Sequence, residues 1–358
     1  MKNSNIVALL AVVVLVVAAI AYLSMGKAGP KASALPAVEV TAQVPEEASA
    51  STSASTSPSA AQAPVRDLAA KAARYPKAKE IVAPSGFVNT GGKPVTLGQY
   101  VGKKVILLDI MTYSCINCIR TFPYLVDWYK KYEDKGLVII GIHTPEFDFE
   151  KVQANVEAAM AKYGITFPVV LDNDYGTWSA YKNLYWPRKY LIDIDGYVVY
   201  DHIGEGGYAE TEEKIQELLK ERADVLGASV SVDMPKTAGG QPPVAAGQTP
   251  ETYLGAARGD QSLGWSISGW DVQPQYIESK AAGATISYPV AAKNIYLVAS
   301  AEAPTKLDVS IDGKPAGAVE VGQARLYDIY KGEGFGPHRL VLTAQGKGLR
   351  AFAFTFGN

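Results

Sequence analysis

The stretch LLDIMTYSCINCIRTFP, residues 107–123, decides the fold. It holds both cysteines of the 358-residue chain, Cys115 and Cys118, with two residues between them. Just before them, KKVILLDIMT (103–112) is a continuous apolar run, the pattern of a strand buried on both faces. Just after, Ile119, Phe122, Val126 and Tyr129 recur at helical spacing. Cys115 therefore falls where a buried strand gives way to a helix.

That position carries chemistry. A helix start presents unpaired N–H groups and a partial positive charge, and both favour a thiolate over a thiol. Arg120, one turn on, adds a further positive charge. The thiolate is the attacking form in disulfide exchange. Cys118 lies on the same side of the first helical turn, within reach of any mixed disulfide formed on Cys115. Other uses of the pair fit less well. A zinc site needs two more ligands, yet there is no second cysteine pair, and His143, His202 and His338 are scattered. A purely structural disulfide would close a tiny loop and stabilise little.

Working outward, FVNTGGKPVTL (87–97) reads as two short strands around Gly91-Gly92. GLVIIGIHT (136–144) is a second buried strand, and FEKVQANVEAAMAKYG (149–164) a helix ending at Gly164. FPVVLD (167–172) is a third strand and YGTWSAYKNLY (175–185) holds a short helix. KYLIDIDGYVVYDHI (189–203) turns at Asp195-Gly196 as a hairpin, and YAETEEKIQELLKER (208–222) is an amphipathic helix. Strands alternating with helices and ending in a hairpin give an α/β domain, a mixed sheet with helices on both faces, over residues 85–226. A linker covers 227–249. Beyond it, alternating runs such as TKLDVSIDGKP (305–315) and AFAFTFG (351–357) indicate an all-β sandwich over 250–358.

The N-terminus differs in kind. IVALLAVVVLVVAAIAYL, residues 6–23, has no charged or strongly polar group, and eighteen residues at about 1.5 Å each nearly match a hydrocarbon core of roughly 30 Å. Residues 1–25 are expected to be a membrane anchor, a single transmembrane helix, or else a signal segment cut near KASALPA (31–37). Residues 26–84 begin as an Ala/Ser/Pro-rich tether that has too little apolar surface to order itself. The net charge of −2 provides no basic face for nucleic acid, so no nucleic-acid partner is expected. Membrane contact is expected through the N-terminal helix alone.

The pattern around the cysteines resembles the thioredoxin superfamily. Asp109 lies six residues before Cys115, where thioredoxins carry a buried aspartate that relays a proton for the second cysteine. Pro123 matches the proline that kinks the active-site helix, and Trp186-Pro187 stands where the superfamily has a cis-proline beside the disulfide. The resemblance implies that Pro187 is cis and contacts Cys115. The extra strand and helix are typical of TlpA-like, membrane-tethered members. TYSCINCIRTFPYL, GIHTPEF and LDNDYGTW are similar to the DipZ-type branch, in which a β-sandwich like a carbohydrate-binding module follows. TPETYLGAAR (249–258) resembles the segment that opens that sandwich.

By that likeness the protein is an extracytoplasmic thiol–disulfide oxidoreductase in the bacterial inner membrane, with the redox domain on the periplasmic side. Its substrates are disulfides of exported proteins. The redox group is the Cys115–Cys118 dithiol itself, with no cofactor. Relatives of this type carry a multi-span electron-transfer unit; this chain has one span, so its electrons come from a separate membrane donor of the CcdA or DsbD type. The sequence departs from the wider pattern at Met111 and Ser114, where relatives carry Trp, and in the Ile116-Asn117 dipeptide, which lacks a proline.

The remaining polar and aromatic residues divide between site and core. Asp109 is a carboxylate in an apolar run, so desolvation is expected to raise its pKa, and the strand 137–143 has no lysine to neutralise it. His143 and Glu146 follow the adjacent strand and are candidates for tuning Cys115. Trp178, Tyr181, Tyr185 and Trp186 crowd the approach to Pro187, as a wall for substrate or as helix packing. Trp265, Trp270 and Tyr276 are candidates for stacking on carbohydrate, against the commoner role of sandwich core. Two rival functions remain: a peroxiredoxin-like thiol peroxidase, for which Thr112 alone is a poor setting, and a non-enzymatic glycan-binding surface protein with a vestigial redox pair.

Overall fold

The computed structural model describes residues 67–232 and 245–357. The expected membrane segment, the tether up to residue 66 and the middle of the 227–249 linker lie outside the described residues. Among the residues described, no helix is long and apolar enough to cross a membrane.

The first half contains, in order, α1 (Leu68–Arg74), β1 (Gly86–Val88), β2 (Val105–Met111), α2 (Ile116–Tyr132) and β3 (Leu137–His143). A 3-10 helix (Asp148–Lys151), α3 (Gln153–Lys162), β4 (Val169–Leu171) and α4 (Gly176–Ala180) follow. The half closes with β5 (Arg188–Ile192), β6 (Val198–Ile203) and α5 (Tyr208–Val225). The sheet order is β1-β4-β3-β2-β5-β6. Strands β2, β3 and β4 are parallel, and β1, β5 and β6 run against their neighbours.

Every residue of β2 and β3 is buried because both sheet faces are covered. Successive side chains point to opposite faces. Val105, Leu107 and Met111 meet α2, α3 and α5 through Phe122, Leu125, Val156, Ile215 and Leu219. Ile106, Leu108 and Ile110 meet a thinner cover made by Ile81, Val95 and Leu97 and by Trp178 of α4. The long helices thus lie on one face, a more lopsided arrangement than the sequence pattern suggested.

Two local expectations change. Only Gly86–Val88 of the 87–97 region forms a strand, and it pairs with β4 instead of folding back on itself. Pro94 has no N–H to give to a ladder, and Val95 and Leu97 are buried as loop residues. The expected 149–164 helix breaks at Val152, whose backbone is extended (φ −78°, ψ 111°). The short helix before the break turns Glu150 inward, where it is fully buried.

The second half is all antiparallel: β7 (Thr252–Tyr253), β8 (Ser266–Ser268), β9 (Trp270–Val272), β10 (Ile277–Ser279), β11 (Ala284–Ala301), β12 (Thr305–Ile311), β13 (Lys314–Val321), β14 (Arg325–Ala344) and β15 (Leu349–Gly357). Its hydrogen bonds join one nine-stranded network, β13-β12-β14-β11-β15-β10-β9 with β7 and β8 attached to β15 and β11. The long pair β11 and β14 carries register shifts at Ala292/Asn294 and Ile295/Tyr296, where bulges bend the strands. Trp265 and Trp270 are buried in its core and offer no open face.

The two halves share an apolar cluster. Ile116 and Phe147 of the first half pack with Tyr296, Val298, Leu326 and Phe352 of the second. The Phe352 ring stands 4.8 Å from Phe149, 5.1 Å from Tyr276 and 5.2 Å from Phe147. Asp148 N donates to Gln275 Oε1 at 3.0 Å across the same seam. Because Phe352 is buried between the halves, Phe352→Ala is expected to destabilise the protein by about 3–5 kcal/mol. Urea unfolding of the full chain measures this; a change below about 1 kcal/mol would mean the seam does not bind the halves together.

Candidate active site

Topology gathers the site at one sheet edge. The parallel strands β2, β3 and β4 end level with one another, at Met111, His143 and Leu171. Strand β5 runs the other way, so it starts at that edge, with Arg188 opposite Ile110. The loops after β2 and β3 and the loop before β5 therefore converge, in the position where open α/β sheets hold their ligands.

Cys115 is the N-cap residue of α2, partly exposed, and its side chain makes no capping bond. Its Sγ lies 3.9 Å from the Trp186 carbonyl. The Trp186–Pro187 peptide is cis. Cys118, one turn later, is fully buried beside Cys115. Burial pushes the Cys118 thiol well above its usual range, and the neighbouring Cys115 and Asp109 add to the rise. The pair is therefore asymmetric: one sulfur faces the groove and its partner is enclosed.

Asp109 points to the α2 face of the sheet, is fully buried, and has no hydrogen-bond partner among the described residues for either carboxylate oxygen. Desolvation pushes it up to about 7, partly opposed by Lys189. Lys189 stands directly opposite Asp109 on β5 and is itself fully buried. Its Nζ donates to Gly204 O at 3.1 Å. Burial lowers the Lys189 pKa, and Asp109, Cys118 and Glu205 hold it up. Reading only the β3 neighbour of Asp109 missed this lysine. The signal was the position of Lys189 two residues after Pro187, at the start of a strand whose antiparallel register sequence alone did not supply.

Glu150 was also missed, because its stretch reads as an ordinary helix. Its Oε1 accepts from Thr112 Oγ1 at 2.5 Å, Ser114 Oγ at 2.6 Å and Ser114 N at 3.3 Å. Its Oε2 accepts from Glu146 N at 2.5 Å and Phe147 N at 3.0 Å. One carboxylate thus ties the turn before Cys115 to the loop after β3. Burial, with Glu146 adding, pushes this group up to about 7.

His143 is buried beside Thr112 and stacks on Tyr113 at 5.6 Å. Burial holds its pKa down at about 3, so it is neutral at physiological pH and supplies no positive charge to the cysteines. His202 bonds to the Glu205 carbonyl, and His338 pairs with Asp312 in the second half. Tyr181 packs on Tyr190, and Trp178 on Trp186, whose Nε1 donates to Thr144 O. Tyr185 and Leu184 stay exposed beside the cis peptide.

Cys115 opens into a groove of about 840 Å³. Leu184, Tyr185, Trp186, Gly204 and Glu205 form one side, and the other comes from the second half, through residues such as Glu251, Tyr253, Arg258, Phe356 and Gly357. Arg120 sits at the base, paired with Glu205 at 3.1 Å and 5.8 Å from the Tyr296 ring. Glu146 bonds to Arg258 at 3.0 Å and to Tyr253 Oη at 2.5 Å. Tyr276 lies in the seam and not in this groove.

An accessible cysteine at a helix start, a buried partner one turn on and a cis-proline facing them define a thioredoxin-like dithiol site. Residues 76–201 match the AhpC/TSA family, and residues 261–357 match a family described as thioredoxin like C-terminal domain. The chain is 36% identical to protein DipZ of Mycobacterium tuberculosis over 76% of its own length, which is 42% of DipZ. It spans less than half of that relative. It is 33% identical to the thiol-disulfide oxidoreductase ResA of Bacillus cereus over 36% of this chain and 69% of ResA. A thiol:disulfide interchange protein of the thioredoxin family from Chlorobium tepidum, of known structure, is 22% identical with a TM-score of 0.35, covering 41% of this chain and 97% of that one. The chain belongs to the thioredoxin-like family of thiol–disulfide oxidoreductases, alongside DipZ and ResA.

The Asp109 shift has a sign. The folded state keeps this proton up to about 7, whereas an unfolded aspartate loses it near 3.8. Between those values the folded state binds more protons, so this group removes stability as pH rises from about 4 to about 7. In Asp109→Asn that loss disappears. The stability advantage of the variant over the wild type should widen across the window, read from urea midpoints; a constant difference would contradict the assignment.

Proposed function

We propose that the protein is an extracytoplasmic thiol–disulfide reductase that acts on disulfides of exported proteins, with Cys115 as the attacking group. The observation that carries this reading is the asymmetry of the pair against the cis Trp186–Pro187 edge. Cys115 attacks one sulfur of a substrate disulfide. A bond forms between Cys115 Sγ and that sulfur, and the other substrate sulfur leaves as a thiolate. Cys118 then gives up its proton and attacks Cys115 Sγ, which releases the second substrate sulfur and leaves the Cys115–Cys118 disulfide. Two electrons pass from the dithiol to the substrate, and the two dithiol protons end on the substrate thiols.

Asp109 serves as the proton acceptor for Cys118. Its unbonded carboxylate is enclosed with that thiol, and its pKa near 7 suits a proton that must move in both directions. Lys189 limits the cost of the charge on Asp109. Pro187 shapes the edge, so that the Trp186 backbone meets an extended substrate strand beside Cys115. The apolar segment 6–23 supports placement at the outer face of the inner membrane, with a separate membrane donor restoring the dithiol. A peroxidase reading is less well supported: the turn before Cys115 is held by a carboxylate, Glu150, and Arg120 is committed to Glu205.

Cys118→Ser should accumulate mixed disulfides through Cys115 when expressed in its host, and non-reducing gels with mass spectrometry would identify the captured proteins. Cys115→Ala should capture none and reduce no insulin. Asp109→Asn should slow closure of the Cys115–Cys118 disulfide by roughly a hundredfold at pH 7 while leaving mixed-disulfide formation nearly intact. Equal slowing of both steps would remove Asp109 from the proton path, and peroxide consumption without any thiol substrate would favour the peroxidase.

A further inference from the structure

The groove at Cys115 is built from two sides of the molecule, and its second wall explains features that disulfide exchange alone leaves unused. Ile116, the residue after the attacking cysteine, is buried against Tyr296 and Val298 of the β-domain. The groove runs between the cis-proline loop and the strands β7 and β15. Gly204 and Gly357 line it, and a side chain at Gly357 would meet the Arg120 guanidinium.

The charges in the channel do not balance. Three carboxylates, Glu146, Glu205 and Glu251, face two guanidinium groups, Arg120 and Arg258. Arg120 is committed to Glu205 and Arg258 to Glu146. Glu251 is left with the Tyr253 hydroxyl, 2.9 Å away, and the residue is exposed and lines the groove. Tyr253 Oη also lies 2.5 Å from Glu146 Oε1, and a phenol has a single proton to give. The Tyr253 hydroxyl therefore cannot donate to both carboxylates. The close walls, with Glu146 behind them, push Glu251 up to about 7, while Tyr253 and Arg258 oppose the rise. The second oxygen of Glu205, on the opposite wall, is enclosed and has no partner among the described residues.

We propose that the channel takes an extended, cysteine-bearing polypeptide segment with a basic side chain beside the cysteine, and that Glu251 of the β-domain is the residue that reads that charge. This rests on the reductase reading above. It assigns the β-domain a direct part in substrate choice, as one wall of the active site. A short chain with a lysine or arginine next to its cysteine places a cation against Glu251, which, unlike Glu146 and Glu205, makes no ion pair among the described residues.

The test uses pre-reduced full chain at pH 8, where Glu251 is ionised, and two disulfide-bridged peptides that differ only in Lys or Glu beside the cysteine. Second-order rate constants are read by chromatography, and each is normalised to the rate of the same peptide with dithiothreitol. The wild type should prefer the Lys peptide by about fivefold, the scale of a partly exposed ion pair. In Glu251→Gln that ratio should fall to near one, a readout that a general loss of activity does not move. A ratio near one in the wild type, or a preference that survives in Glu251→Gln, overturns the inference. Reduction of the small, uncharged hydroxyethyl disulfide by the wild type reports the dithiol chemistry separately: its failure overturns the reductase reading together with this inference, and its success alongside equal peptide rates overturns this inference alone.

Discussion

The active edge depends on a single buried carboxylate. Glu150 accepts hydrogen bonds from the hydroxyls of Thr112 and Ser114 and from two backbone N–H groups of the loop that carries Phe147. Every one of these partners is a donor, so the ionised form is the one the surrounding turn is built to hold, even though burial pulls the other way. Two consequences follow from that one group. The turn before Cys115 is held in place, and Phe147 is aimed at Phe352, Tyr296 and their neighbours across the seam. The redox edge and the attachment of the β-domain are thus parts of one construction.

Much of this was legible in the chain. The run 103–112 gave a buried strand because both faces of β2 are covered, and Cys115 marked the start of α2 because the helical spacing begins right after it. The Trp186-Pro187 pair could be singled out by resemblance, and the peptide is cis. What escaped was set by register and by long-range burial. Lys189 becomes the neighbour of Asp109 only through antiparallel pairing of β5 with β2. Glu150 looks like any surface glutamate of a helix until the break at Val152 turns it inward. Trp265 and Trp270 of the second half follow the commoner of their two sequence readings. Trp265 and Trp270 invite a ligand in sequence, yet burial commits them to the core.

The ionisable groups beneath the cysteines form a graded set. Asp109, Lys189 and Cys118 are all enclosed and each perturbs the others, so no one of them has a fixed charge independent of its neighbours. Cys115, by contrast, faces the groove. This separation suits the exchange chemistry proposed above, with one sulfur accessible and the other enclosed beside it. His143, held neutral by burial, stays outside that set and acts as packing against Tyr113.

The first helix has a mechanical meaning. Lys71 of α1 reaches Asp193 at 2.7 Å and Asp195 at 2.9 Å, and also pairs with Glu221 of α5. Asp193 follows the end of β5, a strand's length, roughly 17 Å, from the edge where Cys115 lies. The first helix is thus moored at the blunt end of the sheet by three carboxylates, none of which lines the groove at Cys115.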